Sequence, residues 1–101
     1  MKKAANPKVR VLTSGTKLIA KEMQANAGDL LPAHLANVES ILLVQEGECI
    51  LKMNDEDHVL KPGDAMVIPP EIKHQITVIK SFKAVHFMPN DIEFKFFDSL
   101  I

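Results

Sequence analysis

Gly28–Gly47, GDLLPAHLANVESILLVQEG, decides how the rest of the chain is read, together with its echo Gly63–His74, GDAMVIPPEIKH. Each segment opens on a glycine and reaches a histidine by way of proline. Leu30 and Leu31 lead into Pro32, and a proline forces the residue before it into an extended conformation. Glu39–Gln45, ESILLVQ, is rich in branched aliphatics and too short for a typical helix, so it reads as a buried strand. On neighbouring strands of one barrel, His34 and His74 can face a common cavity. Gly28, Gly47 and Gly63 read as turn glycines that tolerate positive φ.

Outward from these segments the chain breaks into short β-type runs. Val9–Leu12 is a candidate strand before the turn Thr13-Ser14-Gly15. Residues 16–24, TKLIAKEMQ, could be strand or helix, and their short length between turn signals favours strand. Glu46-Gly47-Glu48 reads as a bend, Cys49–Met53 as a strand, and Asn54–Asp57 as a polar turn. His58–Leu60 returns. Lys61-Pro62-Gly63-Asp64 has proline and glycine where a type II turn wants them. Ala65–Ile68, Gln75–Ile79 and Lys83–Met88 follow as strands, the first of them stopped by Pro69-Pro70. Ile92–Phe96, IEFKF, alternates as a half-buried strand does, and the last residues, FDSLI, are short and apolar. The reading is all-β: residues 1–8 a flexible arm and residues 9–101 a single domain, a small sandwich or barrel.

Composition excludes several function classes. The chain has 101 residues, 12 basic against 13 acidic, and a net charge of −1. Nucleic-acid binding would call for a basic excess, and there is none. Arg10 is the only arginine, which argues against bidentate clamps on carboxylate or phosphate. Cys49 is the only cysteine, so no internal disulfide forms and it reads as a small buried filler. Met23, Met53, Met66 and Met88 read as core gap-fillers. MKKAANPKVRV has no apolar run behind its charges, and no stretch approaches the ~20 apolar residues of a membrane span. The expectation is a cytoplasmic protein with no nucleic-acid or membrane partner.

The paired segments resemble the cupin superfamily, whose fold is a small double-stranded β-helix, a jelly-roll-like barrel. The family's first motif runs from glycine through His-x-His and glutamate to glycine. Gly28, His34, Ala36, Ser40 and Gly47 stand at those positions. The second motif runs from glycine through Pro-x-Gly to histidine and asparagine; Gly63, Pro69, Glu71, His74 and Val78 fill it. The resemblance implies a metal held by four side chains, of which only His34 and His74 carry over. Ala36 has no donor atom, and the Ser40 hydroxyl is a poor ligand for the divalent transition metals that prefer imidazole and carboxylate. Glu39 is one residue out of step and points to the opposite face of a strand. By the same resemblance His86, in AVHFMP, faces the cavity. A site of His34, His74 and His86 could then hold one divalent transition metal weakly, with open positions for substrate.

Three functional expectations follow. The first is a homodimer that binds a small molecule in a mostly apolar cavity with an incomplete metal site, His34, Ser40, His74 and His86 being its polar groups. The second is a metal-dependent oxygenase or isomerase built on the three histidines. The third is a non-catalytic sensory or structural dimeric barrel. Sugar epimerases of the family use a tyrosine acid, and this chain has no tyrosine. His58, beside an acidic turn, reads as a surface residue. Lys73 reads as solvated, with the option of reaching an anion at the barrel mouth. Phe94, Phe96 and Phe97 load the terminal strand with apolar surface, which favours a dimer that covers an open sheet edge.

Overall fold

The computed structural model describes residues 4–97. It contains eight antiparallel strands and, among the described residues, no helix. They are β1 (Lys8–Ser14), β2 (Leu18–Ala25), β3 (Ala33–Ala36), β4 (Ser40–Met53), β5 (Glu56–Leu60), β6 (Ala65–Ile68), β7 (His74–Pro89) and β8 (Phe94–Phe97). The all-β barrel read from the sequence is the observed fold.

Two long strands organise it. Ile41–Val44 of β4 pairs with Phe87–Ala84 of β7, and Cys49–Met53 pairs with Val78–His74. On the first half of this ribbon, β2 lies against β7 and β6 against β4, with β1 outside β2. On the second half, β3 joins β7 through His34 opposite His74, with β8 outside β3, while β5 lies against β4. The sheet therefore curls about β4 and β7, and both halves face one interior.

The sequence reading split each of these strands in two. In the structure the 39–45 and 49–53 segments merge into one strand that begins at Ser40, and the 75–79 and 83–88 segments likewise form one strand. Register shifts between Val44 and Cys49 let β4 bend without leaving the ladder. They also change which positions face inward: Ser40, Leu42 and Val44 are buried before the bend, and Cys49, Leu51 and Met53 after it. In β7 the inward set keeps one parity, from His74, Ile76 and Val78 to Phe82, Ala84, His86 and Met88. Gly47 sits at the bend with φ +80°, and a Cβ there would lie 2.2 Å from the Ser81 carbonyl oxygen. Only glycine fits so close an approach of two backbones.

The turns follow local chemistry. Asn54 and Asp55 both take positive φ, 54° and 61°, so the expected four-residue turn is a two-residue hairpin closed by Met53 opposite Glu56. At the 61–64 turn the Asp64 N–H donates to the Lys61 carbonyl at 2.9 Å, with Gly63 at φ +91°. The core gathers Leu31, Leu42, Val44, Leu51, Ile76, Val78 and Phe82 around the fully buried Cys49. Burial raises the Cys49 thiol pKa to about 11, which suits an inert filler.

Two boundaries differ from expectation. Lys8, placed in the arm, already pairs with Gln24 as the first residue of β1. Ahead of it, the Ala5 N–H donates to the Leu30 carbonyl at 2.8 Å. The terminal strand begins at Phe94 rather than Ile92 and pairs with β3 of the same chain. Residues 1–3 of the expected arm and 98–101 of the apolar tail lie outside the described residues. No helix of the described chain is long and apolar enough to cross a membrane.

Candidate functional site

The β3–β7 pairing sets His34 and His74 directly opposite each other, their rings 4.3 Å apart and edge to face. Each ring is fixed in the same way. The His34 Nδ1–H donates to the Pro32 carbonyl at 3.1 Å, and the His74 Nδ1–H to the Ile72 carbonyl at 3.0 Å. Both Nε2 atoms are then bare lone pairs, acceptors for a ligand or a metal.

His86, twelve positions further along β7 than His74, faces the same interior because the strand keeps its parity. Its Nε2 lies 2.7 Å from the Ser40 hydroxyl, a buried contact. Ser40 has no other side-chain partner among the described residues, and its hydroxyl, donor and acceptor both, satisfies Nε2 in either tautomer of neutral His86. No buried side-chain nitrogen or oxygen among the described residues lacks a partner. His86 Nδ1, which has no partner among the described residues, is therefore not fully enclosed.

Burial keeps these imidazoles neutral. It lowers the His86 pKa to about 4, aided by the charges that His34, His74 and Lys21 would present. It lowers His74 to about 4 as well, against the opposing pull of the Ile72 carbonyl. His34 is lowered by the same desolvation, with the Pro32 carbonyl opposing.

The interior opens into a cavity of about 400 Å³. Leu31, Ile76, Met88, Phe94 and Phe96 make most of its wall, with His34, His86 and Lys21 as the charged or ionisable groups. Asn6 and Pro7, held near by the Ala5–Leu30 bond, close one side. Of the four residues expected to give the cavity its polar groups, His34 and His86 reach the wall. His74 is buried against His34, and Ser40 acts from behind by holding His86.

The donor set does not fit a resident metal. Ala36 is buried at its family position without a donor atom, and the Ser40 hydroxyl is committed to His86. Glu39 is exposed. Among the described residues no three His, Cys, Asp or Glu side chains are placed to hold an ion, although the three histidines occupy one region.

Other residues have plain structural roles. His58 lies 3.8 Å from Glu56 at the surface. Lys73 sits over the Phe97 ring, 4.4 Å from its centroid, and is not part of the cavity wall. Lys21 was not legible as a cavity residue. It reaches the wall because β2 pairs with β7 in a register that sets it opposite His86, and that register is a tertiary fact with no local signal.

A family model described as a cupin domain matches residues 21–88, more than half of the chain. The chain belongs to the cupin family. Solved structures agree with the fold. Salicylate 1,2-dioxygenase from Pseudoaminobacter salicylatoxidans, solved as adducts with gentisate, superposes with a TM-score of 0.82 at 17% identity, covering 95% of this chain and 30% of the dioxygenase chain. This cupin thus spans less than a third of that enzyme's length. A cupin superfamily protein from Desulfitobacterium hafniense superposes at 0.77 with 16% identity, covering 90% of this chain and 84% of the other. A conserved protein of unknown function from Streptococcus pyogenes gives 0.74 at 15% identity over 83% and 74%. No curated protein matches this cupin by sequence.

Proposed function

We propose that this cupin binds a small, mostly apolar molecule in its barrel, held at one side by the wall imidazoles His34 and His86. The observation that carries this reading is the cavity itself. A concavity of about 400 Å³ walled by aliphatic and aromatic side chains, with a few oriented polar groups, has the makeup of a ligand site. His74 and Ser40 serve it by fixing His34 and His86. No metal step is assigned, because the donors do not fit one.

Thermal-shift titration with a panel of small apolar alcohols, acids and amines tests the proposal. A ligand that binds the folded state raises Tm with concentration, and His34→Ala is expected to abolish the rise. Metal analysis is the second arm. After incubation with iron, manganese, nickel or zinc and desalting at neutral pH, the protein is expected to retain well under one equivalent. One full equivalent, lost in His86→Ala, would replace this reading with a metal-dependent enzyme on His34, His74 and His86. A barrel that responds to neither panel would be structural or sensory.

The homodimer belongs to the same proposal. Ile41, Val67 and Phe87 present 43%, 50% and 42% of their surface on adjacent strands. Pairing of two copies would cover this apolar surface. Light scattering is expected to give twice the 11.2 kDa chain mass at micromolar concentration, and a monomer overturns it.

A further inference from the structure

We propose that the cavity is selective for a small apolar monocarboxylate, its carboxylate held by the Lys21 ammonium and the His86 Nδ1–H. This rests on the cavity reading above and names the class of ligand.

Lys21 and His86 are cross-strand partners in the β2–β7 pair. Directly opposed residues of an antiparallel pair project from the same face with Cβ atoms roughly 5 Å apart. Both line the cavity, and none of the residues that line it is an aspartate or glutamate. The charge of the wall is therefore positive and unopposed. The neighbouring carboxylate, Glu22, projects from the other face of β2 and is bound by Arg10 at 3.3 Å and Gln24 at 3.1 Å. The other acidic partners in ion pairs, Glu46, Glu48 and Glu56, are matched to Lys83, Lys80 and His58. Among the described residues no carboxylate lies within ion-pair distance of Lys21. An ammonium beside apolar wall loses hydration, and an incoming carboxylate restores its balance of charge.

The imidazoles give the ligand a direction. With the Ser40 hydroxyl 2.7 Å from Nε2 of His86 and donating to it, Nδ1–H is the donor left for the ligand. His34 offers only a lone pair, because its proton is spent on Pro32. A carboxylate is drawn to the Lys21–His86 side and repelled from His34, and the apolar body is left to Leu31, Phe94 and Phe96. The volume lies near the lower end of small-molecule sites, which run from roughly 300 to 1,000 Å³.

Titration calorimetry at neutral pH with cinnamate, cinnamyl alcohol and cinnamylamine tests this, because the three share one apolar frame and differ in charge. Wild-type protein is expected to bind the acid about tenfold or more tightly than the alcohol, and not to bind the amine. Lys21→Met is expected to remove the preference, so that acid and alcohol bind about equally, and continued binding of the alcohol reports an intact cavity. Lys21→Arg is expected to keep the preference. Equal binding of acid and alcohol by the wild type, or an undiminished preference in Lys21→Met, overturns the carboxylate while leaving the cavity reading in place. Absence of binding by all three overturns both.

Discussion

Two imidazoles that spend their Nδ1 protons on carbonyls two residues upstream have little freedom left, and a third is fixed by a serine. That arrangement makes the site sensitive to acid. In the folded state His74 and His86 have pKa values lowered from 6.5 to about 4. The unfolded chain therefore binds more protons between those values, and stability falls as pH drops through that window. Above about pH 7 both states are neutral at these groups, and the effect vanishes. Tm is expected to hold level from pH 8 to 7 and to decline steadily from pH 6.5 to 4.5. Glu22, whose carboxyl is held low by Gln24 and Arg10, adds its own loss only below its ordinary range near 4.5. His86→Gln is expected to flatten part of the upper decline, and an unchanged profile would show that His86 is not buried neutral. His34 and His74 were readable from motif spacing alone, and His86 by resemblance. The function of Ser40 as a clamp on His86, and the arrival of Lys21 on the wall, depend on contacts across strands that leave no trace in local sequence.

At the scale of the element, β4 and β7 show where pattern reading stops. The turn signals at 54–55 and 61–64 are chemical and local, and they were legible. The bend at Gly47 was also legible, but not that the strand survives it, since a bulge is defined by its partner. Gly47 and Gly63 share positive φ and differ in surroundings. A Cβ at Gly63 meets nothing within 4 Å, so Gly63→Ala carries only backbone strain, about 1 kcal/mol. A Cβ at Gly47 meets three backbone atoms of Lys80, Ser81 and Phe82 at 2.2–2.7 Å. Gly47→Ala must push the two long strands apart, and urea denaturation is expected to show a loss of more than about 3 kcal/mol or an unfolded chain. Similar losses at both glycines would mean that the strands are not in this contact. Glu71 holds φ +63°, a left-handed conformation that strains a residue other than glycine.

For the whole molecule, β1–β2 and β4–β5 are local hairpins and the other strand pairings join segments distant in sequence, with Leu18 opposite Pro89 as the extreme. Folding is expected on the millisecond-to-second scale of barrels. The two halves of the sheet have no separate existence, because β4 and β7 belong to both. A chain cut in the Asn54-Asp55 hairpin would leave one long strand on each fragment, β4 with β1–β3 and β7 with β5, β6 and β8. Neither piece retains the central ladder, and each carries the other's missing half. Co-expressed as two polypeptides they are expected to reassemble into one barrel and to stay unfolded alone, which would make this small protein a natural split reporter whose signal is its own refolding.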